Sequence, residues 1–475
     1  MSLLMWLFVI PFFSACVAFL LPITGKNLKK IAFVLSLIPL ALLVYGFPDL
    51  IGSEVKYSWM PLLSIEFYLK VDSLSFLFLA LTAVIIPISI LPVHSSTLNM
   101  PNFFYGWVLL LEGLLIGFFT AHDLAIFTLF WEAMLIPLYF IMNVWGGPQR
   151  HQAAIKFLIY MIAGSFLMVA AILGLFLAAG TFNLETLQHV AAAGKYAPWI
   201  CAVFLLAFAV KTPLFPFHAW LPDAYCQAST SGTILLSALL SKAGIYGILR
   251  IGMGLFPLIM KEWSPFLLGL SIAGVFYGGL AAWLQKDYKR LIAYSSFSHV
   301  NFILVALFVW NQTAEAGGIL QALNHGVTIA ALFLVAGWLE ERIGTTAFGK
   351  ESGLAKYMPQ LCWLTLFFVL SSVALPGTNS FIGELMILFG LFVVNPWQVA
   401  FLALSVILSV IYMLRWMQLI YFQEPAPFQN RWVDIHKREL CIAFPLILLV
   451  LWIGIYPAPV LKLIQPSAIK MEKTQ

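Results

Sequence analysis

The sequence predicts an all-α integral membrane protein of about fourteen spanning helices. Of its 475 residues, 62% are hydrophobic and only 9% are charged. A soluble domain carries about 25% charged residues, so no water-soluble surface can be built from this composition. Apolar segments of about 20 residues, the length a helix needs to cross a bilayer, follow one another along the chain with short linkers. Residues 1–475 therefore read as a single membrane domain with no soluble part.

The first segment, 3–21, is read as a spanning helix and not a signal peptide. No basic residue precedes it, and its apolar run exceeds the roughly 7–15 residues of a signal core. The second, 31–47, follows Lys26, Lys29 and Lys30. The third, 71–91, starts beside Asp72, read as an interface residue. The fourth, 105–120, carries Glu112 and the fifth, 124–144, carries Glu132 in AIFTLFWEAMLIPLYF. The sixth is 153–179. The seventh, 198–220, contains VKTPLFPFHAWLP. Its Pro213 and Pro216 remove backbone donors and clash with the preceding turn, so the helix is expected to break beside Lys211.

The eighth segment, 229–256, carries Lys242 near its middle. The ninth, 265–283, has no charge at its centre, and the tenth, 291–309, holds Ser295, Ser296, Ser298 and His299. The eleventh, 319–339, has His325 early in its span. The twelfth, 361–394, is too long for one regular span and is interrupted by Pro376–Gly377, with Glu384 about two turns beyond. The thirteenth and fourteenth are 397–421 and 440–456. The twelfth segment lies five helices on from the seventh, and an odd count reverses direction. Paired breaks in opposite orientation are the signature of an inverted repeat around a midplane site. We read 105–256 and 265–421 as the two repeats.

The larger share of the 25 lysines and arginines falls in loops on one side, among them Lys286, Arg342, Lys350 and Arg431. The other side includes Lys70, Arg250 and Lys261. The positive-inside rule puts the richer side in the cytoplasm and both termini on the outer side. The net charge of +5 calls for no nucleic acid. The five cysteines, Cys16, Cys201, Cys226, Cys362 and Cys441, form no CxxC pair, and there is no GxGxxG or GxxxxGK[ST]. No nucleotide, flavin, cluster or metal ion is expected in this chain.

The informative residues are the charges inside the spans. One charge at the bilayer centre costs about 2.5–3.5 kcal/mol on insertion scales. Glu132, Lys211, Lys242 and Glu384 all bear this cost, and such groups usually mark ion or proton paths. Lys211 coincides with a helix break, and Glu132 can supply its counter-charge. A buried amine beside a movable carboxylate is a proton switch, because the carboxylate decides how firmly the amine holds its proton. The alternative for this pair is a structural ion pair between helices. Lys242 has no obvious partner nearby in sequence, which suits a proton carrier better than a structural element. Glu112 is read as a second acid facing Glu132, the alternative being an acid near water or bonded to a neighbouring helix. His325 ranks first among the histidines as a bridge between Lys242 and Glu384. His299 and His218 are further titratable groups, the alternative for each being an ordinary buried polar residue.

Three blocks then carry a resemblance. VKTPLFPFHAWLPDAYCQASTSGTILLSALLSKAGIYGILR, KRLIAYSSFSHV and HDLAIFTLFWEAMLIPLYF resemble the proton-translocating antiporter-like subunits of respiratory complex I and the related multisubunit cation/proton antiporters. The likeness extends over nearly the whole chain. It implies that Glu132, Lys211 and Lys242 are functional, with His325 and Glu112 matching further family positions. Several relatives carry a lysine where this chain has Glu384, and one type of chain in the family carries a glutamate there. Two positions depart from the pattern: Ser229 stands where a proline is usual, and Asn301 where a glycine is common.

The resemblance implies a subunit of a proton-translocating NADH:quinone oxidoreductase in a bacterial inner membrane, working beside other antiporter-like membrane subunits. NADH, FMN, iron–sulfur clusters and quinone would then be bound by partner subunits. Two other readings remain open at this point: a subunit of a sodium/proton antiporter, and a non-transporting membrane anchor of a redox complex.

Overall fold

The computed structural model describes residues 2–21, 25–93, 98–349, 351–427 and 432–472. Lys350 and Arg431, two of the loop charges named above, lie outside the described residues. Among the described residues, twelve helices are long and apolar enough to cross a membrane. Three shorter apolar helices, Ala197–Lys211, Pro359–Ser372 and Asn379–Val394, lie in the two segments where proline was expected to interrupt a span.

Both breaks have one cause. Pro213 has no N–H for the Ala209 carbonyl, and Pro376 has none for that of Ser372. The helices accordingly end at Lys211 and Ser372. After the second break Gly377 takes φ +92°, a conformation that glycine adopts without strain. The helix resumes at Asn379.

The chain forms two compact units. The first comprises 1–212, 227–263 and 463–475; the second comprises 213–226 and 264–462. In the first unit, the helix spanning Thr230–Met253 packs closely on Ala197–Lys211. A Cβ at Gly244 would strike Thr212, and one at Gly247 would lie 2.7 Å from the Phe208 ring. Small residues at such crossings let membrane helices approach backbone to backbone. This contact sets the Lys211 helix against the Lys242 helix.

One element was not anticipated. Glu54–Met60 and Ile65–Lys70 form an antiparallel β-hairpin between the second and third spans. Their β-branched and aromatic content suits a pleated surface. The hairpin is tied down by ion pairs Lys56–Glu66 at 2.9 Å and Lys70–Glu185 at 2.5 Å. Asp123 joins it to the fifth span. One carboxylate oxygen accepts the Glu66 N–H, and the other caps Leu124–Ala133 through the N–H groups of Ala125 and Ile126. Beside it, burial and then the Arg250 charge lower the His122 imidazole to about 4, so this ring is neutral at physiological pH.

Several basic residues that the sequence assigns to loops are tied to partners within the fold instead, Arg342 among them through Glu439. Lys29 donates to the Leu91 carbonyl at 2.6 Å, and Lys289 pairs with Glu340 at 2.5 Å. Arg250 grips Asp72 with both guanidinium arms, at 2.6 and 2.8 Å. Asp72 is thus more than an interface residue: it caps Ser73–Ile90 through the Ser75 N–H and binds Arg250. Their long stems reach partners that loop counting cannot see.

Candidate functional site

In the first unit, the fifth span is interrupted at Met134, between Leu124–Ala133 and Leu135–Trp145. Pro137 cannot donate to the Ala133 carbonyl, which explains the interruption. One residue upstream of Glu132, the Trp131 carbonyl accepts a hydrogen bond from Lys211 Nζ at 3.0 Å. The same ammonium sits 3.5 Å from the centroid of the Trp131 ring, a cation–π contact that favours the charged amine. Trp131 is held in turn by its indole N–H, which donates to Ser165 Oγ at 3.1 Å. Lys211 is 1% exposed, and Glu132 follows its anchor Trp131 directly in the chain.

Glu132 itself is only half-buried. It lines a groove of about 680 Å³ together with Leu129, Ile136, Tyr139, Phe140 and Ile162. Its Oε1 is buried without a hydrogen-bond partner. Glu112, on Pro101–Thr120, is fully enclosed, and neither of its carboxyl oxygens has a hydrogen-bond partner. No hydrogen bond therefore joins the two acids. Leaving a buried polar group unmatched is costly to a fold, so Glu112 is hard to explain as structural.

Lys242 is also fully buried. Contrary to the sequence reading, it has partners on its own helix. Its ammonium donates to the Ser237 carbonyl at 2.8 Å and to Ser241 Oγ at 3.2 Å. The helix widens into π-helical turns on both sides of it, at Leu236–Leu240 and Ile248–Met253. Such turns loosen the regular carbonyl ladder and are frequent at functional positions. Ser229, the first departure from the family pattern, caps Thr230–Leu235 by accepting the Gly232 N–H.

The second unit has its own polar centre, built on the twelfth-segment break. Glu384 is 5% exposed. Its Oε1 accepts from Gln321 Nε2 at 3.2 Å and faces His299 Nδ1 at 3.4 Å. His325 meets Ser296 Oγ through Nε2 at 3.2 Å, and its ring centroid lies 6.2 Å from that of His299. His299, one of the further titratable groups of the sequence reading, thus faces Glu384 directly. Behind them, Asn379 ties the resumed helix to the helix before the break and to Gln312–Ile343. It accepts from Ser371 Oγ at 2.8 Å, and its amide donates to the Asn324 carbonyl at 3.2 Å.

A small enclosed cavity of about 10 Å³ lies beside this pair, lined by Ser298, His299, Glu384, Ser405 and Ser409 among others. That is room for roughly one water molecule with polar neighbours. Ser295 pairs with the Tyr412 hydroxyl at 3.0 Å. His218 is packed among rings, 4.3 Å from Phe297 and 4.8 Å from Tyr277. Asn301, the second departure, binds the backbone of the first break. Its amide donates to the Pro213 carbonyl at 3.3 Å, and its oxygen accepts the Phe215 N–H at 3.4 Å.

Sequence reasoning missed Trp131, Gln321 and Asn379. Trp131 had a signal, since a tryptophan adjoins the fifth-span acid. Among the described residues, no group of three or more His, Cys, Asp or Glu side chains is placed to hold a metal ion.

Comparison with known proteins adds the following. A family model described as NADH:quinone oxidoreductase/Mrp antiporter, TM, matches residues 121–411. NADH-quinone oxidoreductase subunit M of Rhodobacter capsulatus is 35% identical over 464 residues, covering 94% of this chain and 90% of that protein. The same-named protein of Escherichia coli (strain K12) is 35% identical over 485 residues, covering 97% and 95%. Among solved structures, a chain of respiratory complex I from Thermus thermophilus with bound NADH superposes with a TM-score of 0.91 at 31% identity, over 99% of each chain. A chain of the Mrp complex from Dietzia sp. superposes with a TM-score of 0.89 at 23% identity, over 99% of this chain and 98% of that one, which shows a shared fold.

Proposed function

We propose, from the premise that the chain belongs to the NADH:quinone oxidoreductase/Mrp antiporter membrane family, that it works as a subunit M of a proton-translocating NADH–quinone oxidoreductase. It is a multi-pass inner-membrane protein that sits with other antiporter-like membrane subunits. The enzyme is the whole complex. NADH oxidation, with its FMN, iron–sulfur clusters and quinone, belongs to partner subunits, and this chain supplies a proton path.

The carrying observation is the set of buried ionisable groups at helix interruptions. Lys211 and Glu132 form the switch: the ammonium rests on Trp131 while the neighbouring carboxylate sets how firmly it holds its proton. Lys242, with serine oxygens at its ammonium, receives the proton within the first unit. In the second unit His325, His299 and Glu384 continue the relay, with Glu112 a further proton-holding acid in the first. Driving one proton against 100 mV needs about 2.3 kcal/mol, which arrives from the partner subunits. The repeats 105–256 and 265–421 supply the two halves of the device, and the charge distribution favours both termini on the outer side.

The test is Lys242→Ala in the assembled oxidoreductase, reconstituted in sealed vesicles. NADH-driven proton uptake is expected to fall severely with the complex intact. Uptake equal to wild type would instead favour a non-transporting anchor. A sodium/proton antiporter subunit would move ions down an imposed gradient without NADH, and the same vesicles separate that reading.

A further inference from the structure

The hairpin end of the first unit holds a feature that the relay does not use. Tyr246 lies one turn beyond Lys242 on the same helix, and its ring is fully buried. Ring centroids place it 5.6 Å from Phe78, 5.6 Å from Phe118 and 5.1 Å from Phe119. Phe78 stacks on Phe119 at 5.2 Å, and Phe118 meets Phe119 at 5.1 Å. Phe118 continues the layer to Trp131 at 5.7 Å, the residue that carries Lys211. Three spans thus contribute the rings Phe78, Phe118, Phe119 and Tyr246, namely Ser73–Ile90, Pro101–Thr120 and Thr230–Met253, and Leu124–Trp145 adds Trp131 at the edge.

The polar atom that these four rings carry, the Tyr246 hydroxyl, is engaged, and the buried Ser75 hydroxyl meets it at 3.1 Å. The Tyr246 hydroxyl donates to the Phe119 carbonyl at 2.7 Å and accepts from Arg250 Nε at 3.1 Å. Arg250 then grips Asp72, which caps the helix that contributes Phe78. Burial alone would raise the Asp72 carboxyl, but the guanidinium holds it well below the usual carboxylate range. Meanwhile the Lys242 ammonium turns the other way, toward Ser237 and Ser241 earlier in its helix.

We propose that Phe78, Phe118, Phe119 and Tyr246 form a dry septum, stapled by the Arg250–Asp72 pair, that closes the hairpin end of the first unit to protons. A proton moves along water and hydroxyl chains. A filled apolar layer holds no water, and hydrophobic constrictions stop conduction by staying dry. Lys242 is then open toward one side of the membrane only, and protons that reach it cannot slip out past the hairpin. The inference rests on the reading of Lys242 as a proton carrier.

The test is passive proton conductance of the assembled complex in sealed liposomes, without NADH, under an imposed potassium diffusion potential. Phe119→Ala opens the layer; Asp72→Asn with Arg250→Gln removes the staple while keeping shape and leaving no lone buried charge. Each is expected to raise conductance on the order of tenfold over wild type, and the rise should vanish when Lys242→Ala is added. Phe119→Leu, which keeps apolar bulk, should stay tight. A proton-tight Phe119→Ala complex would overturn the septum, and so would a leak indifferent to Lys242→Ala. The relay reading fails separately, if Lys242→Ala alone leaves NADH-driven pumping intact.

Discussion

Lys211→Ala is expected to remove most NADH-driven proton transfer while the complex stays assembled. The ammonium is anchored on the Trp131 carbonyl and ring, with Glu132 next in the chain. Alanine takes away the amine that would hold and release the proton at this break, and each tenfold loss of rate corresponds to about 1.4 kcal/mol of added barrier, so a loss well beyond tenfold is expected. Lys211→Arg separates charge from exchange. Arginine keeps the positive charge but does not give up its proton in proteins, so it should leave the complex assembled and still not restore pumping. Pumping normalised to assembled complex is the measurement. Lys211→Arg pumping at the wild-type rate would leave Lys211 as a fixed charge.

Glu384→Ala is expected to lose more activity than Glu384→Lys. A relay requires a group that can gain and release a proton, whatever the sign of its charged form. The alanine leaves His299 and Gln321 without their shared oxygen, beside a cavity with room for roughly one water. The lysine restores an exchangeable proton at the same break, although its charge sits beside an imidazole. Proton transfer per assembled complex decides the matter. Finding the alanine no worse than the lysine would remove Glu384 from the path.

The spans were legible because a bilayer imposes one length and one composition on every crossing helix. The breaks were legible because Pro213 with Pro216 and Pro376 with Gly377 pair a lost backbone donor with a second helix breaker, whereas lone prolines such as Pro39 and Pro87 sit inside unbroken helices. The hairpin at Glu54–Lys70 carried the weaker strand signal and was passed over between stronger apolar runs. Arg250 was counted with the loops because its partner, Asp72, stands far off in sequence. The serine partners of Lys242 lie within its own helix, yet the wide turn beside it is a feature of backbone geometry that residue spacing does not announce. The approach of His299 to Glu384 was hidden for a similar reason. Which histidine meets Glu384 is set by how the tenth, eleventh and twelfth spans pack, and the chain alone gives both an equal claim.

The central claim is that Glu132 and Lys211 act together as a proton switch and not as a structural tie. It is tested most directly by Glu132→Gln in the assembled, membrane-reconstituted oxidoreductase, counting protons moved per NADH oxidised. The amide keeps the size of the side chain and removes its charge. The expected result is a severe fall in protons per NADH, with Glu132→Asp retaining part of the wild-type value because the charge survives at shorter reach. A Glu132→Gln complex that assembles and pumps at the wild-type ratio would contradict the switch.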